Sequence, residues 1–565
     1  MPKILLVQPP MEEFYLTAKR SVPYGLACIA ASLQQAGFSV SILDALAVKK
    51  ATVIEPPTQL GDLGCFYGKN DLSPFALFHH YRHYGYSFEH LGAMARKMQP
   101  FLVGISSLFT PYCNEARRTA EAIKGFWPEC FIVMGGHHPT QFPKEVMECG
   151  AVDFVLRGEG ELSMPALALA LRRGQSPVDV PGIVFRMPDG SLTINEPAWI
   201  DDLDSSCLPA TGLVDHTFYR RKQRGSISVV AARGCPMHCT YCSLGASSSH
   251  APFRQRSVGS VVAELEVQME QQDIGFIDFE DENLTLNRGW FLALLGEITT
   301  RFGGRGIELR AMNGLYAPSL DKEVIAAMAG AGFKTLNLSL GSTSTKQLAR
   351  FRRPDVQKAL DRCLDLAEAK SLDVVSYLIA AAPGQDPKES VQDLLYLAAR
   401  RTLVGLSIFY PAPGSHDFLL CKKMGLLPST FEQMRSTAFP VSDTTTRLQA
   451  ATLLRLARIL NFIKALLDED DLPEAFPISD QEMAVDPSNR ISAGKVLLAG
   501  FLYDGIIRGV SPDGKVFLHL VDQPLVCLFL DGLKAITIRG VKGAGFFHGK
   551  GDESPGQVGE KSGKN

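Results

Sequence analysis

Short apolar runs ending in proline, glycine or serine alternate with stretches of helical apolar spacing from the third residue onward, and that alternation leaves few folds open. "KILLVQPP" is a strand-like run stopped by Pro9 and Pro10, "SVPYGLACIAASLQQAGF" carries a helical stripe through Leu26, Ile29, Ala30 and Leu33, and "SVSILDA" is strand-like again. "FLVGISSL", a helix over 114–126, "CFIVMGG", a short helix near 142–148 and "DFVLRGEGE" complete a five-strand unit. Strands separated by helices make a doubly wound parallel sheet, and ligands of such sheets lie in the crevice at the strands' carboxyl ends. Here those ends carry Ser106 and Ser107, Gly135 and Gly136, and Gly158, Glu159 and Gly160. Glycines let a backbone approach a bulky ligand, so Ser106, Gly135, Gly136 and Glu159 are the expected contacts; the plainer alternative is that the glycines only make turns.

At 565 residues the chain exceeds one compact core. Its 57 basic and 60 acidic residues leave a net charge of −3, which gives no electrostatic case for a nucleic-acid partner. No apolar run reaches the roughly 18 to 20 residues of a membrane span. "MPKILLVQPPMEEF" has too short an apolar run for a signal peptide, and a cytoplasmic location is expected. Cysteines there stay reduced. Nine of the twelve (Cys28, Cys65, Cys113, Cys130, Cys149, Cys207, Cys363, Cys421 and Cys527) stand singly and are expected to be small core residues.

Between the second and third strands lies "YGKNDLSPFALFHHYRHYGYSFEHL", too aromatic for disorder and expected to fold over a neighbour. Its His79, His80, His83 and His90 have no thiolate or carboxylate partner in pattern, which favours packing or surface roles over metal binding.

The remaining three cysteines are grouped. In "SISVVAARGCPMHCTYCSLG" a hydrophobic strand over 226–231 runs directly into a loop holding Cys235, Cys239 and Cys242. A structural zinc site wants four ligands, and no second cysteine pair follows. Three thiolates suit an iron-sulfur cube that keeps one iron open for a small molecule. His238 is a rival ligand, read here as a loop residue.

The C-x3-C-x2-C spacing, with Tyr241 before the last cysteine, resembles the radical SAM superfamily. The resemblance implies a [4Fe-4S] cluster on Cys235, Cys239 and Cys242 whose free iron chelates S-adenosylmethionine (SAM), and a one-electron cleavage giving a 5′-deoxyadenosyl radical. "APFRQRS" over 251–257 is similar to an Arg-x-Arg-Ser element found after the cluster loop in many members. Glu280, Asp281 and Glu282 stand where the family places acids for the SAM ammonium. The alternative for them is a capped, solvated helix start.

Further strand-like runs, "GIELRAMNG", "TLNLSLGS", "DVVSYLIAAAPGQ" and "LVGLSIFYPAPGS", bring the units to six, which resembles the family's partial (β/α)6 barrel. Arg310, Ser339, Ser342, Tyr377 and Tyr410 then fall at expected SAM or substrate positions, with Tyr241 beside the cluster.

An α/β domain ahead of this barrel is similar to the cobalamin-binding radical SAM subgroup, on "VGISSLFT", "MGGHHPT" and "VLRGEGE", over roughly residues 1–420. The resemblance implies bound cobalamin, and SAM used both as methyl source and as radical source, with methyl delivered to an unactivated carbon of a small-molecule, lipid or natural-product substrate. It also implies an external electron donor such as flavodoxin or ferredoxin. No histidine here follows an Asp by two residues, so the D-x-H-x-x-G cobalt ligand is absent, which points to a histidine-free lower face of cobalt and equally permits a degenerate domain that binds nothing. Rival readings are a cobalamin-dependent cyclase or rearrangement enzyme, and a non-enzymatic cobalamin or redox sensor. Methylthio transfer is disfavoured because Cys28, Cys65 and Cys113 lack that family's surrounding sequence.

The expected boundaries are 1–180 for the cobalamin-type domain, 181–220 for a linker, 221–420 for the barrel, 421–545 for an α+β region and 546–565 for a disordered tail. Helical spacing through Leu453, Leu456, Ile459, Leu460 and Ile463 predicts a packing helix, and residues 495–545 read as hairpins around Asp513 and Gly514.

Overall fold

The computed structural model describes residues 2–15, 22–67, 70–78, 80–197, 199–244, 252–435, 437, 440–478 and 485–541. Its first unit follows the predicted alternation: β1 (Lys3–Gln8), α1 (Tyr24–Gln35), β2 (Ser39–Asp44), α2 (Phe88–Met98), β3 (Leu102–Ser106), α3 (Cys113–Phe126), β4 (Phe131–Gly135), β5 (Phe154–Leu156) and α4 (Gly160–Arg172). The parallel strands lie in the order β2-β1-β3-β4-β5, the doubly wound arrangement in which the chain reverses direction beside β1. Helices cover both faces. Leu5, Val7, Val103, Ile105 and Ile132 pack on one side, and Ile4, Leu6, Leu102 and Val133 on the other, which is why the strands read as unbroken apolar runs.

Part of the expected linker is sheet. β6 (Ile183–Arg186) and β7 (Leu192–Ile194) add antiparallel strands beside β5, because Asp189 and Gly190 make a hairpin turn rather than a domain crossing.

Six parallel strands form the second unit: β8 (Arg224–Val229), β9 (Ile274–Phe279), β10 (Glu308–Ala311), β11 (Thr335–Gly341), β12 (Asp373–Ala380) and β13 (Leu403–Ile408). Single parallel bridges from Leu309 to Phe333 and from Leu315 to Leu338 join β10 to β11, completing the partial barrel. Alternation along the strands puts Ile227, Val229, Ile277, Phe279, Leu336 and Leu338 in the outer helix-packed core, and Ser226, Ser228, Phe276, Asp278, Asn337 and Tyr377 on the inner face.

The aromatic insertion folds into a small antiparallel sheet, Met11–Glu13 with Arg82–Tyr84 and Ala51–Val53, above the end of β1. His83 bonds Glu12 and the Tyr86 carbonyl, and His90 stacks on Tyr86 at 4.4 Å, so both do packing work; His79 lies outside the described residues. The insertion is pinned from the carboxyl-terminal side by buried Arg435, which donates to Glu13 Oε2 at 2.9 Å and to the Pro111 carbonyl at 3.2 Å.

The predicted packing helix spans Arg447–Asp468, opened by a Thr446 and Gln449 capping box, with all five stripe residues buried. Residues 495–545 differ from expectation. Their one hairpin pairs Arg508–Val510 with Val516–Leu518, while helices Arg490–Asp504 and Gln523–Lys534 flank it, because the apolar residues there recur at helical spacing against the barrel. The expected disordered tail lies outside the described residues. Of the nine single cysteines, Cys28, Cys130, Cys363 and Cys421 are buried, whereas Cys65 and Cys527 are exposed on polar helix faces.

Candidate active site

β8 delivers the chain into the three-cysteine loop. Ala232 and Arg233 pair antiparallel with Arg254 and Gln255, so a two-residue ribbon brackets the loop at its start and finish. Cys235, Cys239 and Cys242 are half-buried and free of disulfides. The loop is tied down between them: Thr240 N donates to the Phe351 carbonyl at 3.1 Å, its hydroxyl lies 3.1 Å from Asp417 Oδ2, and Asp417 N donates to the Thr240 carbonyl at 2.8 Å. Burial raises the Cys235 thiol, so a metal centre forming here must expel a proton.

The donor set fits an iron-sulfur cube. A cube takes one thiolate on each of three separate irons, and Cys235, Cys239 and Cys242, all half-buried on one loop, can supply one each.

The acids after β9 divide their work. Asp281 is buried and turns back, its Oδ2 accepting from Ala231 N at 3.2 Å; Oδ1 has no partner, and burial pushes the carboxyl up to about 7. Glu282 opens to solvent from a crowded recess, raised first by burial, with Gly234 N as a hydrogen-bond donor. The Glu280 carbonyl accepts from Asn313 Nδ2 at 2.8 Å, which fixes the strand-end turn. Glu282 is thereby the acid of the three that faces outward beside the cysteines.

Tyr241 stands edge-on to Phe351, and its hydroxyl accepts from Arg353 Nη1 at 2.7 Å. The same Arg353 Nη1 reaches Ser339 Oγ at 2.9 Å, and Nη2 reaches the Ser339 carbonyl at 3.0 Å. Ser339 therefore sits at the site through an arginine that the sequence reading did not single out, although the run "FRRP" marks its place. Tyr410, in the loop after β13, is raised by burial and by the neighbouring Cys242 thiolate. Tyr377 lies on the inner face, donating to Asn337 Oδ1 at 3.1 Å. Arg310 also lies on the inner face but spends Nε on Glu308 Oε1 at 2.6 Å, and Ser342 is buried against Asp393. Both stand at strand ends, Arg310 near the end of β10 and Ser342 just past β11, with these polar atoms already engaged.

On the first sheet, Ser106 and Gly135 sit opposite one another at the ends of β3 and β4. Gly136 has φ +123°, and a Cβ there would stand 2.5 Å from the Ser107 carbonyl oxygen. These small residues keep the crest low, and buried Ser107 Oγ is left without a partner, which fits a broad group seated on the backbone. Glu159 behaves differently from its expected role: its carboxylate is taken by Arg254 and Arg233 of the ribbon and does not face a free crevice. The loop after β13 approaches the same sheet, since a Cβ on Gly414 would meet the Gln141 side chain at 2.6 Å. Strand ends of both units thus converge about the cysteine loop.

Comparison with known proteins agrees with this arrangement. The B12 binding domain family matches residues 76–168, and the Radical SAM superfamily matches residues 229–397. The uncharacterized methyltransferase PH0819 of Pyrococcus horikoshii is 25% identical over 474 residues, covering 82% of this chain and 93% of that one. The anaerobic magnesium-protoporphyrin IX monomethyl ester cyclase of Rubrivivax gelatinosus is 32% identical over 262 residues, covering 44% of this chain and 45% of its own. The hopanoid C-3 methylase of Methylococcus capsulatus is 26% identical over 327 residues, covering 57% and 60%. The radical SAM methyltransferase TsrM of Kitasatospora setae, solved with cobalamin and a [4Fe-4S] cluster, shares the fold at TM-score 0.58 and 16% identity, over 80% of this chain and 91% of that one. The low crest of the first sheet thus lies within a B12 binding domain, and the three-cysteine loop after β8 within a Radical SAM superfamily domain that follows it in the same chain.

Proposed function

We propose that this protein is a cobalamin-dependent radical SAM methyltransferase that adds a methyl group to a carbon of a small-molecule substrate. The observation that supports the reading is that the ribbon at the base of the cysteine loop is joined to the strand-end turn of the first sheet through Arg233, Arg254 and Glu159, beside the small residues Gly135 and Gly136. Bound together there, the cluster with SAM supplies a carbon radical and cobalamin supplies the methyl group.

The chain's own residues prepare that region. Cys235, Cys239 and Cys242 would hold the cluster and Glu282 would receive the SAM ammonium; Tyr241, set by Arg353, would wall the same side, and Ser106, Gly135 and Gly136 would leave room for cobalamin. Enclosure between two domains keeps water from a reactive radical. The reducing electron comes from an external flavodoxin or ferredoxin, and the protein works in the cytoplasm. Among the described residues no helix is long and apolar enough to cross a membrane.

The identity to the Rubrivivax cyclase favours ring closure as the second reading, although that match covers under half of each chain. Product mass separates the two. Protein purified without air, loaded with iron, sulfide and cobalamin and given SAM and reductant, should release 5′-deoxyadenosine and S-adenosylhomocysteine and raise substrate mass by one methylene unit. Release of 5′-deoxyadenosine with an unchanged or lowered product mass would favour the cyclase; no 5′-deoxyadenosine at all would refute both.

A further inference from the structure

We propose that Glu159 and Glu161 are positioning residues for the three-cysteine loop: with Arg233 and Arg254 they form a clamp across the domain boundary that sets where the thiolates stand relative to the first sheet. Arg254 grips Glu159 with a two-point fork, Nη1 to Oε2 at 2.9 Å and Nη2 to Oε1 at 3.0 Å. Arg233 adds Nη1 to Glu159 Oε1 at 3.1 Å and Nη2 to Glu161 Oε1 at 2.5 Å. The fork is nearly dry, with side-chain exposures of 8% and 11% for Arg254 and Glu159.

Three features make this more than a domain contact. Arg233 and Arg254 are directly opposed in the ribbon, so the clamp closes on both strands that flank the loop at one point. Glu159 and Glu161 stand at the start of α4, where the helix dipole favours negative charge, and the carboxylates are therefore stable before the arginines arrive. Ile200 N also donates to Glu159 Oε2 at 2.7 Å, which leaves that carboxylate one orientation. A second belt runs alongside: Tyr24 of α1 donates to Glu264 at 3.2 Å, Glu264 also pairs with Arg256, and Asp204 accepts from Ser257 N at 3.0 Å. The "RGEGE" turn of the first domain is thus a fastening for the cluster loop, and the separation of the two cofactor sites is set by it.

The test uses the full chain and the variants Glu159→Gln, Arg254→Lys and Glu161→Gln. In hydrogen-exchange mass spectrometry without cofactors, amides of 232–244 and 252–256 should exchange about tenfold faster in Glu159→Gln, with 274–279 and 308–311 unchanged. Arg254→Lys keeps the charge but not the fork and should fall between, and Glu161→Gln, losing one contact, should show the smallest change. After reconstitution, iron per chain and the electron paramagnetic resonance signal of the reduced cluster should persist in Glu159→Gln, while its ratio of 5′-deoxyadenosine to methylated product rises several-fold. That last arm rests on the proposed function. Absence of methylated product from the wild type would overturn the function and leave the exchange arm to decide the clamp. Unchanged ribbon exchange in both Glu159→Gln and Arg254→Lys, or faster exchange spread evenly over the barrel strands, would overturn the clamp.

Discussion

Arg353 donates to the Tyr241 hydroxyl at 2.7 Å and so joins the cysteine loop to the end of β11, where the same guanidinium holds Ser339 by side chain and carbonyl. One side chain from the "FRRP" turn thereby fixes the aromatic that stands between Cys239 and Cys242.

Removing that tie should act on the cluster loop before it acts on the fold. A charge-assisted hydrogen bond contributes about 1.5 to 3 kcal/mol, so Arg353→Ala should slow 5′-deoxyadenosine formation by about 10- to 100-fold. Arg353→Lys can reach one partner but not span Tyr241 and Ser339, and should lie between. Iron per chain after reconstitution checks the placement: a fall in rate with full iron content locates the defect at Tyr241, and equal rates in all three proteins would show that the tie has no role.

Tyr377 lies flat over Gly405. A Cβ on Gly405 would come within 2.5 Å of the ring, so Gly405→Ala must push Tyr377 off Asn337. Overpacking of this kind costs about 1 to 3 kcal/mol. Tyr377→Phe keeps the ring and removes the hydrogen bond to Asn337, at about 1 kcal/mol. Thermal unfolding should rank Gly405→Ala below Tyr377→Phe and both below wild type; a Gly405→Ala protein as stable as wild type would mean that the strand yields instead of the ring.

These two contacts mark where sequence reading stops. Strand alternation and the stripe through Leu453 to Ile463 are local patterns, and each produced the element it predicts. The strand order β2-β1-β3-β4-β5 is one of several that right-handed crossovers allow, and the alternation alone does not select it. Side-chain pairing across distant segments has no such period. Glu159 and Arg254 are 95 positions apart and Tyr241 and Arg353 are 112 apart, so the glutamate reads as a crevice ligand and the arginine as an ordinary turn charge. Arg310 was legible as a strand-end residue, whereas its pairing with Glu308, two residues back, was not. The Asp189 and Gly190 turn looked like a linker because a hairpin at a sheet edge and a domain crossing share the same turn residues.

Asp44 offers a pH test remote from the cluster. It ends β2, accepts from Leu46 N at 3.0 Å and from the Tyr219 hydroxyl, and burial raises its carboxyl from 3.8 to about 6. The folded state then binds more protons than the unfolded state between pH 3.8 and about 6, so this group's contribution is greatest below that window and falls as pH rises through it. The shift amounts to about 3 kcal/mol, less whatever local relaxation recovers. Asp44→Asn cannot titrate and should gain on wild type by up to that amount between pH 4 and pH 7, read as the difference in denaturant midpoints. Parallel pH profiles for the two proteins would show that the carboxyl is solvated in solution.

Gly136→Ala tests the proposed cobalamin surface apart from the cysteine loop. The φ of +123° at Gly136 is a conformation that side chains rarely adopt, and a Cβ would meet the Ser107 carbonyl oxygen at 2.5 Å, a backbone atom that cannot rotate away. Gly136→Ala must therefore displace the β3 and β4 strand-end turns against each other, while the cysteine loop, held by its own contacts to Phe351 and Asp417, is untouched. After air-free reconstitution the variant should keep its iron and lose most of its cobalamin, seen as absence of the corrinoid bands beside an unchanged cluster absorbance. Gly135→Ala is the control: its Cβ would lie an ordinary 3.7 Å from the Leu156 carbonyl oxygen, so any cobalamin it loses is lost to direct obstruction of the crest. Full cobalamin in Gly136→Ala would remove this turn from the binding surface, and loss of iron and cobalamin together would mean that the two domains fold as one.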